Sequence, residues 1–227
     1  MSGVIKSNVL IIAPHLDDEV LGCGGVIQKH IELNHSVHVC FIAHRVYNHE
    51  YDEKKMMVEK AHAKKAKGFL KYDTMTFLNL PDERLDSCIQ DIIIPLEECV
   101  ESINPDIVYS PFCHDNNQDH RAVAEAVQVV LRPSAVGNLK RWLMYETPSS
   151  TEQSPNVGMP GFRPTVYHDI EKHLEIKLSA LKCYETELRK FPHPRSSDGI
   201  RALAMVRGME TGVSYAEAFM LVREKNE

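Results

Sequence analysis

The sequence predicts an α/β protein with an open, mostly parallel sheet and helices on both faces. Three observations carry that prediction. Short apolar runs rich in β-branched residues recur, as in Asn8-Val-Leu-Ile-Ile-Ala13 and Ser36-Val-His-Val-Cys-Phe-Ile-Ala43, which is how strands read when both of their faces are buried. Between these two runs, Val20, Val26, Ile27 and Ile31 recur at helical spacing. The two kinds of segment then alternate, the order expected of βαβ units joined by right-handed crossovers.

In chain order, a strand over 8–13 leads to a helix over 19–33 and a second strand over 36–43. A charged helix follows over 52–69, then a strand near 74–78, a helix over 87–103 and a strand over 106–110. A helix over 119–132 and a strand over 141–146 complete the pattern. The stretch 147–164 is rich in Pro, Ser and Gly and reads as a surface loop, a candidate lid over a substrate. Beyond it the chain reads as helices over about 170–188, 196–209 and 214–224, with a Phe191-Pro-His-Pro-Arg-Ser196 turn between the first two. With 227 residues and no internal repeat, the expectation is one domain spanning 1–227.

Composition narrows the partners. Hydrophobic residues at 43% and charged residues at 26% are ordinary for a globular chain. A net charge of −6 gives no general attraction to phosphate backbones or anionic membranes, so nucleic acid is not an expected partner. Met1–Asn8 lacks the features of a signal peptide, and no window approaches the roughly 20 apolar residues of a membrane span. A cytoplasmic location is therefore expected. The six cysteines contain no Cys-x-x-Cys pair and read as free core thiols, with Cys23 and Cys113 the two nearest polar segments.

The most informative segment is Ala13-Pro-His-Leu-Asp-Asp-Glu19, which places His15, Asp17, Asp18 and Glu19 between the first strand and the first helix. Such a cluster suffers like-charge repulsion unless a cation neutralises it, and a divalent metal accepts imidazole and carboxylate together. Helix capping by the acids is the plainer alternative, but it leaves His15 unexplained. The segment Pro111-Phe-Cys-His-Asp-Asn-Asn-Gln-Asp-His-Arg121 also follows a strand and opens a helix. Both loops should therefore face one crevice at the strand C-termini. There His114 and His120 are candidate ligands, and Asp119 is a candidate outer acceptor that orients a ligand ring.

His15-Leu-Asp-Asp-Glu19 after an apolar strand, joined to Asp119-His120 opening a later helix, resembles the PIG-L/LmbE family of zinc-dependent N-deacetylases. The resemblance implies a Rossmann-like fold, zinc held by His15, Asp18 and His120, and Asp17 as general base. Phe191–Ser196 and Ala216-Glu-Ala-Phe219 also look like C-terminal segments of the LmbE-like branch. Where many members carry a second His, this chain has Asn117, so the carbonyl-polarising role is open to Asn117, His114 or His193. His193 also matches the C-terminal His of relatives resembling archaeal chitobiose deacetylases. By a looser resemblance, Arg45 and Asp82 are candidates for gripping substrate, with Arg195, Tyr47 and His49 as further contributors. The implied substrate is a small N-acetylated amino sugar, free, in a glycoconjugate or nucleotide-linked, and the implied assembly is a homo-trimer or hexamer.

Three rival readings follow from the same residues. Two His and one carboxylate also form the facial triad of ferrous oxygenases. Gly22-Cys-Gly-Gly25 suggests a nucleotide-binding module, although carboxylates at the strand-to-helix turn would repel phosphate, and the glycines read better as close-packing positions. No Gly-x-Ser-x-Gly elbow supports a serine hydrolase.

Overall fold

The computed structural model describes residues 6–44, 52–154, 158 and 160–226. Seven strands form one sheet: β1 (Asn8–Ala13), β2 (Ser36–His44), β3 (Thr74–Pro81), β4 (Ile107–Pro111), β5 (Arg141–Tyr145), β6 (Val166–Asp169) and β7 (Ala216–Glu224). Their order across the sheet is β3-β2-β1-β4-β5-β7-β6. The first five run parallel, and β7 pairs antiparallel with both β5 and β6. The helices are α1 (Asp18–Glu32), α2 (Glu53–Leu70), α3 (Ile89–Ile103), α4 (Gln118–Val130), α5 (Leu174–Leu181) and α6 (Ser197–Met209).

Strand periodicity divides the core into two layers. Val9 and Ile11 of β1 and Val37, Val39 and Phe41 of β2 pack toward α1, α2, α5 and α6. Leu10 and Ile12 of β1 and Cys40 and Ile42 of β2 pack toward α3 and α4. The central strands are thus apolar on both faces, which explains their unbroken hydrophobic runs. Because α1 and α4 follow adjacent strands on opposite faces, the chain parts between the C-terminal ends of β1 and β4. Ligands bind at such a topological switch point.

The expected α/β architecture is present, and its boundaries agree closely from β1 to β5. The C-terminal third differs. The expected helix over 214–224 is the strand β7, because Ala, Glu, Met and Leu favour a helix locally while the ladder positions beside β5 and β6 reward an extended chain. The expected helix over 170–188 shrinks to Leu174–Leu181, and β6 was not anticipated from the sequence. The candidate lid begins as cavity wall, lined by Thr147, Ser149 and Ser150, with Thr151 buried behind them. Residues 155–157 and 159 of that stretch lie outside the described residues. All six cysteines are free, but Cys88 is exposed rather than in the core. Among the described residues, no helix is long and apolar enough to cross a membrane.

The glycine cluster in α1 is a close-packing device. A Cβ on Gly22 would strike the ring of Tyr145, and that ring is anchored by a 2.8 Å hydrogen bond from its hydroxyl to the Ile12 carbonyl. Gly22→Ala should therefore lower stability by about 1–3 kcal/mol through overpacking, even though alanine is the better helix former by about 1 kcal/mol. Urea denaturation checks this, and an unchanged or raised midpoint would contradict it.

Candidate active site

The first loop leaves β1 at Ala13 and is shaped by its own carboxylates. Asp17 has φ 129° and ψ −22°, a conformation that L-residues rarely adopt and that costs on the order of 1–3 kcal/mol. Neighbouring bonds hold it there. Glu19 accepts a hydrogen bond from the Asp17 amide at 3.2 Å, and its other oxygen accepts one from the Tyr184 hydroxyl at 2.6 Å. The amides of Val20 and Leu21 donate to the Asp17 carbonyl at 3.0 and 2.9 Å. Asp18 accepts from the His15 amide at 2.8 Å. Asp17 occupies the N-cap position of α1 but makes no side-chain cap bond, so capping does not account for it.

The second loop leaves β4 at Pro111. The Asn117 side chain caps α4 by accepting from the Asp119 amide at 2.8 Å, which places Asp119 and His120 in the first turn. Asp119 accepts from His15 Nε2 at 3.1 Å and from the Glu83 amide at 2.7 Å. Asp115 lies 3.5 Å from His120 Nδ1 and accepts from the hydroxyls of Ser150 and Thr151.

These constraints bring three donor atoms together. His15 Nδ1, Asp18 Oδ2 and His120 Nε2 form a triangle with edges of 3.4, 3.2 and 3.3 Å. A tetrahedron whose metal–ligand bonds are about 2.0–2.1 Å has edges of roughly 3.3–3.4 Å, so the triangle has the size of one tetrahedral face. The remaining ring nitrogen of each histidine faces a carboxylate, Asp119 for His15 and Asp115 for His120, the arrangement that fixes ligand rings in metal sites. The donor set therefore fits a divalent cation.

The electrostatics point the same way. Burial opposes charge on His15, yet Asp119 and Asp18 lift its pKa to about 10. His120 is raised to about 9 against burial by Asp18 and Asp115. The carboxylates thus draw positive charge onto two rings whose nitrogens are 3.3 Å apart, and one cation meets that demand without two facing protons. Asp18 is held well below the usual carboxylate range by His120 and His15 despite its burial. Asp17 moves the other way: burial and the Asp18 charge push it up to about 7, with Arg195 pulling against them.

The triangle opens into a cavity of about 600 Å³. Asp82 and Asn117 line it, as does Arg195, whose Nη1 lies 3.2 Å from Asp17 and 2.8 Å from Glu187. Arg195 is thus drawn toward two protein carboxylates rather than presented openly to a substrate anion. Two sequence candidates fall elsewhere. His193 is not among the lining residues, and its Nδ1 accepts from the Arg195 amide. The His114 ring packs edge-on against Phe112. Arg45, Tyr47 and His49 lie outside the described residues. Sequence reasoning missed Asp115, Glu59 of α2, Glu187 and Ser149. Of these, only Asp115 carried a local signal, as a second acid beside His114 in the loop after β4.

A protein-family comparison decides the kinship. The model of the PIG-L family, described as GlcNAc-PI de-N-acetylase, matches residues 10–131, more than half of the chain and both loops of the donor triangle. The chain belongs to this family. Membership makes it a hydrolase of the de-N-acetylase kind, and its relative YaiS of Escherichia coli K12, an uncharacterized deacetylase, is 26% identical over 187 residues, covering 80% of this chain and 92% of that protein. Among solved structures, N,N'-diacetylchitobiose deacetylase of Pyrococcus horikoshii superposes with a TM-score of 0.75 at 19% identity, covering 98% of this chain and 86% of that one. GalB, the 4-carboxy-2-hydroxymuconate hydratase of Pseudomonas putida KT2440, gives 0.76 at 20% identity and 98% coverage of both chains. One fold thus serves two reactions, and PIG-L membership rather than shape carries the reaction class. The family match ends before Ser149, Glu187 and Arg195, so part of the cavity wall comes from chain outside it.

Tyr184→Phe removes the buried donor from Glu19 and should destabilise the protein by about 1–3 kcal/mol. The loss should be readable by urea denaturation, and a change below about 0.5 kcal/mol would show that Glu19 holds the Asp17 turn without Tyr184.

Proposed function

We propose that the protein is a zinc-dependent N-deacetylase that removes the acetyl group from an N-acetylated amino sugar or sugar conjugate. The observation that carries this reading is the donor triangle of His15, Asp18 and His120, with Asp17, a buried carboxylate of raised pKa, lining the same polar cavity. In that role the three side chains hold the zinc ion. When bound, zinc lowers the pKa of a water molecule from about 16 toward about 7 and polarises a carbonyl.

The chain's own groups supply the rest. Asp17 accepts the proton of the attacking water as the water oxygen bonds to the amide carbon. The C–N bond then breaks, Asp17 returns the proton to the leaving nitrogen, and acetate and amine are the products. Arg195 keeps the Asp17 carboxylate aimed into the cavity through its 3.2 Å contact. Asn117, with Oδ1 committed to the Asp119 amide, retains its Nδ2 protons as donors toward a substrate oxygen. His193 and His114, placed outside the cavity lining, have no part in this scheme.

The substrate class is supported by the polar character of the lining and by the chitobiose deacetylase among the structural neighbours. Activity should persist without dioxygen, which separates this reading from a ferrous oxygenase. Asp17→Asn should retain stoichiometric metal yet lose about 10²–10⁴-fold in turnover, measured as acetate released from a panel of free and nucleotide-linked N-acetyl sugars. Turnover within tenfold of the parent would remove Asp17 from the base role. No acetate from any member of the panel by the metal-loaded protein would contradict the sugar deacetylase reading.

A further inference from the structure

Away from the cavity, Lys177 of α5 and Glu217 of β7 form an ion pair at 2.7 Å, with only 4% and 5% of their surfaces exposed. A buried pair of this kind is weak evidence for stability, since well-packed apolar residues commonly do as well. Its partners suggest another purpose. Glu217 accepts from the backbone amides of Gly25 and Val26 at 2.7 Å each. Lys177 Nζ donates to the Leu21 carbonyl at 2.8 Å. Gly25 N–H and the Leu21 carbonyl are the i and i−4 groups that an α-helix joins to each other, and here each has a buried charged side chain as a partner. Gly24 lets the lysine stem approach, because a Cβ there would lie 2.8 Å from Lys177 Cγ.

We propose that Lys177 and Glu217 are positioning residues, a strut that fixes the first turn of α1 and thereby the conformation of Asp17. The path is continuous. Glu217 holds Lys177, Lys177 holds the Leu21 carbonyl, and the Leu21 amide donates to the Asp17 carbonyl at 2.9 Å. Asp17, with φ 129°, has a strained backbone, so it needs support that a freely fraying helix end would not give. The strut also explains a charged residue within the apolar-looking strand β7: Glu217 reaches from the antiparallel end of the sheet to the helix that bears the site. The catalytic part of this inference rests on the proposed role of Asp17, whereas the structural part does not.

Lys177→Met keeps an unbranched stem one heavy atom shorter and removes the donor; Tm falls because Glu217 loses its counter-ion, but its two backbone donors remain to hold the carboxylate. The control is Leu96→Ala in α3, a core substitution on the opposite face of the sheet that lowers Tm without touching the strut. With metal-saturated protein well below Tm, Lys177→Met should lower kcat for acetate release about tenfold with KM within twofold, and the control should leave kcat unchanged. Amide hydrogen exchange provides a readout that needs no activity. The Val20 and Leu21 amides should exchange about tenfold faster in Lys177→Met, with Lys29 and His30 unaffected, whereas the control should show no such local change. Exchange at Val20 and Leu21 like that of the control would overturn the strut. Faster local exchange with kcat unchanged would overturn its catalytic role, and faster local exchange in a protein that releases no acetate would place the failure in the deacetylase reading alone.

Discussion

Three donor atoms from two loops about a hundred residues apart meet within 3.4 Å of one another, and the rest of the molecule can be understood as what makes that meeting possible. A parallel sheet delivers every strand-to-helix loop to the same edge. The change of helix face between β1 and β4 opens a crevice there, so that His15 and Asp18 arrive from one side and His120 from the other. Residues that look purely structural then acquire local tasks. Asn117 caps α4 and so sets the register of Asp119 and His120, while Gly22 allows α1 to lie against Tyr145.

The concentration of acids around this point would be unfavourable in a site meant to stay free of cations. Nearly every one is tied to a donor that orients it: Asp18 to His15, Asp119 to His15 and the Glu83 amide, Asp115 to Ser150 and Thr151, Glu19 to Tyr184. Their fields raise both histidines, and His120 and His15 in turn hold Asp18 ionised. Asp17 differs from Asp18 beside it, with a strained backbone and a carboxyl that burial and the Asp18 charge push up to about 7, where burial also takes Glu19. A group that must exchange a proton near neutrality benefits from that difference from its neighbour.

The first two thirds of the fold and the two loops that carry the donors were legible because their signals are local, whereas the choice of Asp18 over Asp17 and of His120 over His114 came from the family resemblance. Strand and helix periods do not interfere there, and both loops announce themselves by His and acid next to a strand end. The C-terminal third was not, for a physical reason. Residues 216–224 are good helix formers locally, and only the pairing positions beside β5 and β6 make them a strand. The same distance problem hid Glu59 and Glu187, whose place at the cavity depends on how α2 and the segment after α5 pack rather than on any neighbouring residue. His193 lies two residues from Arg195, yet its ring is not among the groups that line the cavity within one chain.

X-ray absorption spectroscopy of the zinc-loaded protein distinguishes the donor triangle from any other site, because it reads the identity and distance of the atoms around the metal. The donor triangle requires a four-coordinate ion with only nitrogen and oxygen neighbours at about 2.0–2.2 Å, two of them showing the outer-shell scattering of imidazole. Sulfur at about 2.3 Å, or the loss of the imidazole signal with His15 and His120 intact, would place the metal elsewhere and contradict it.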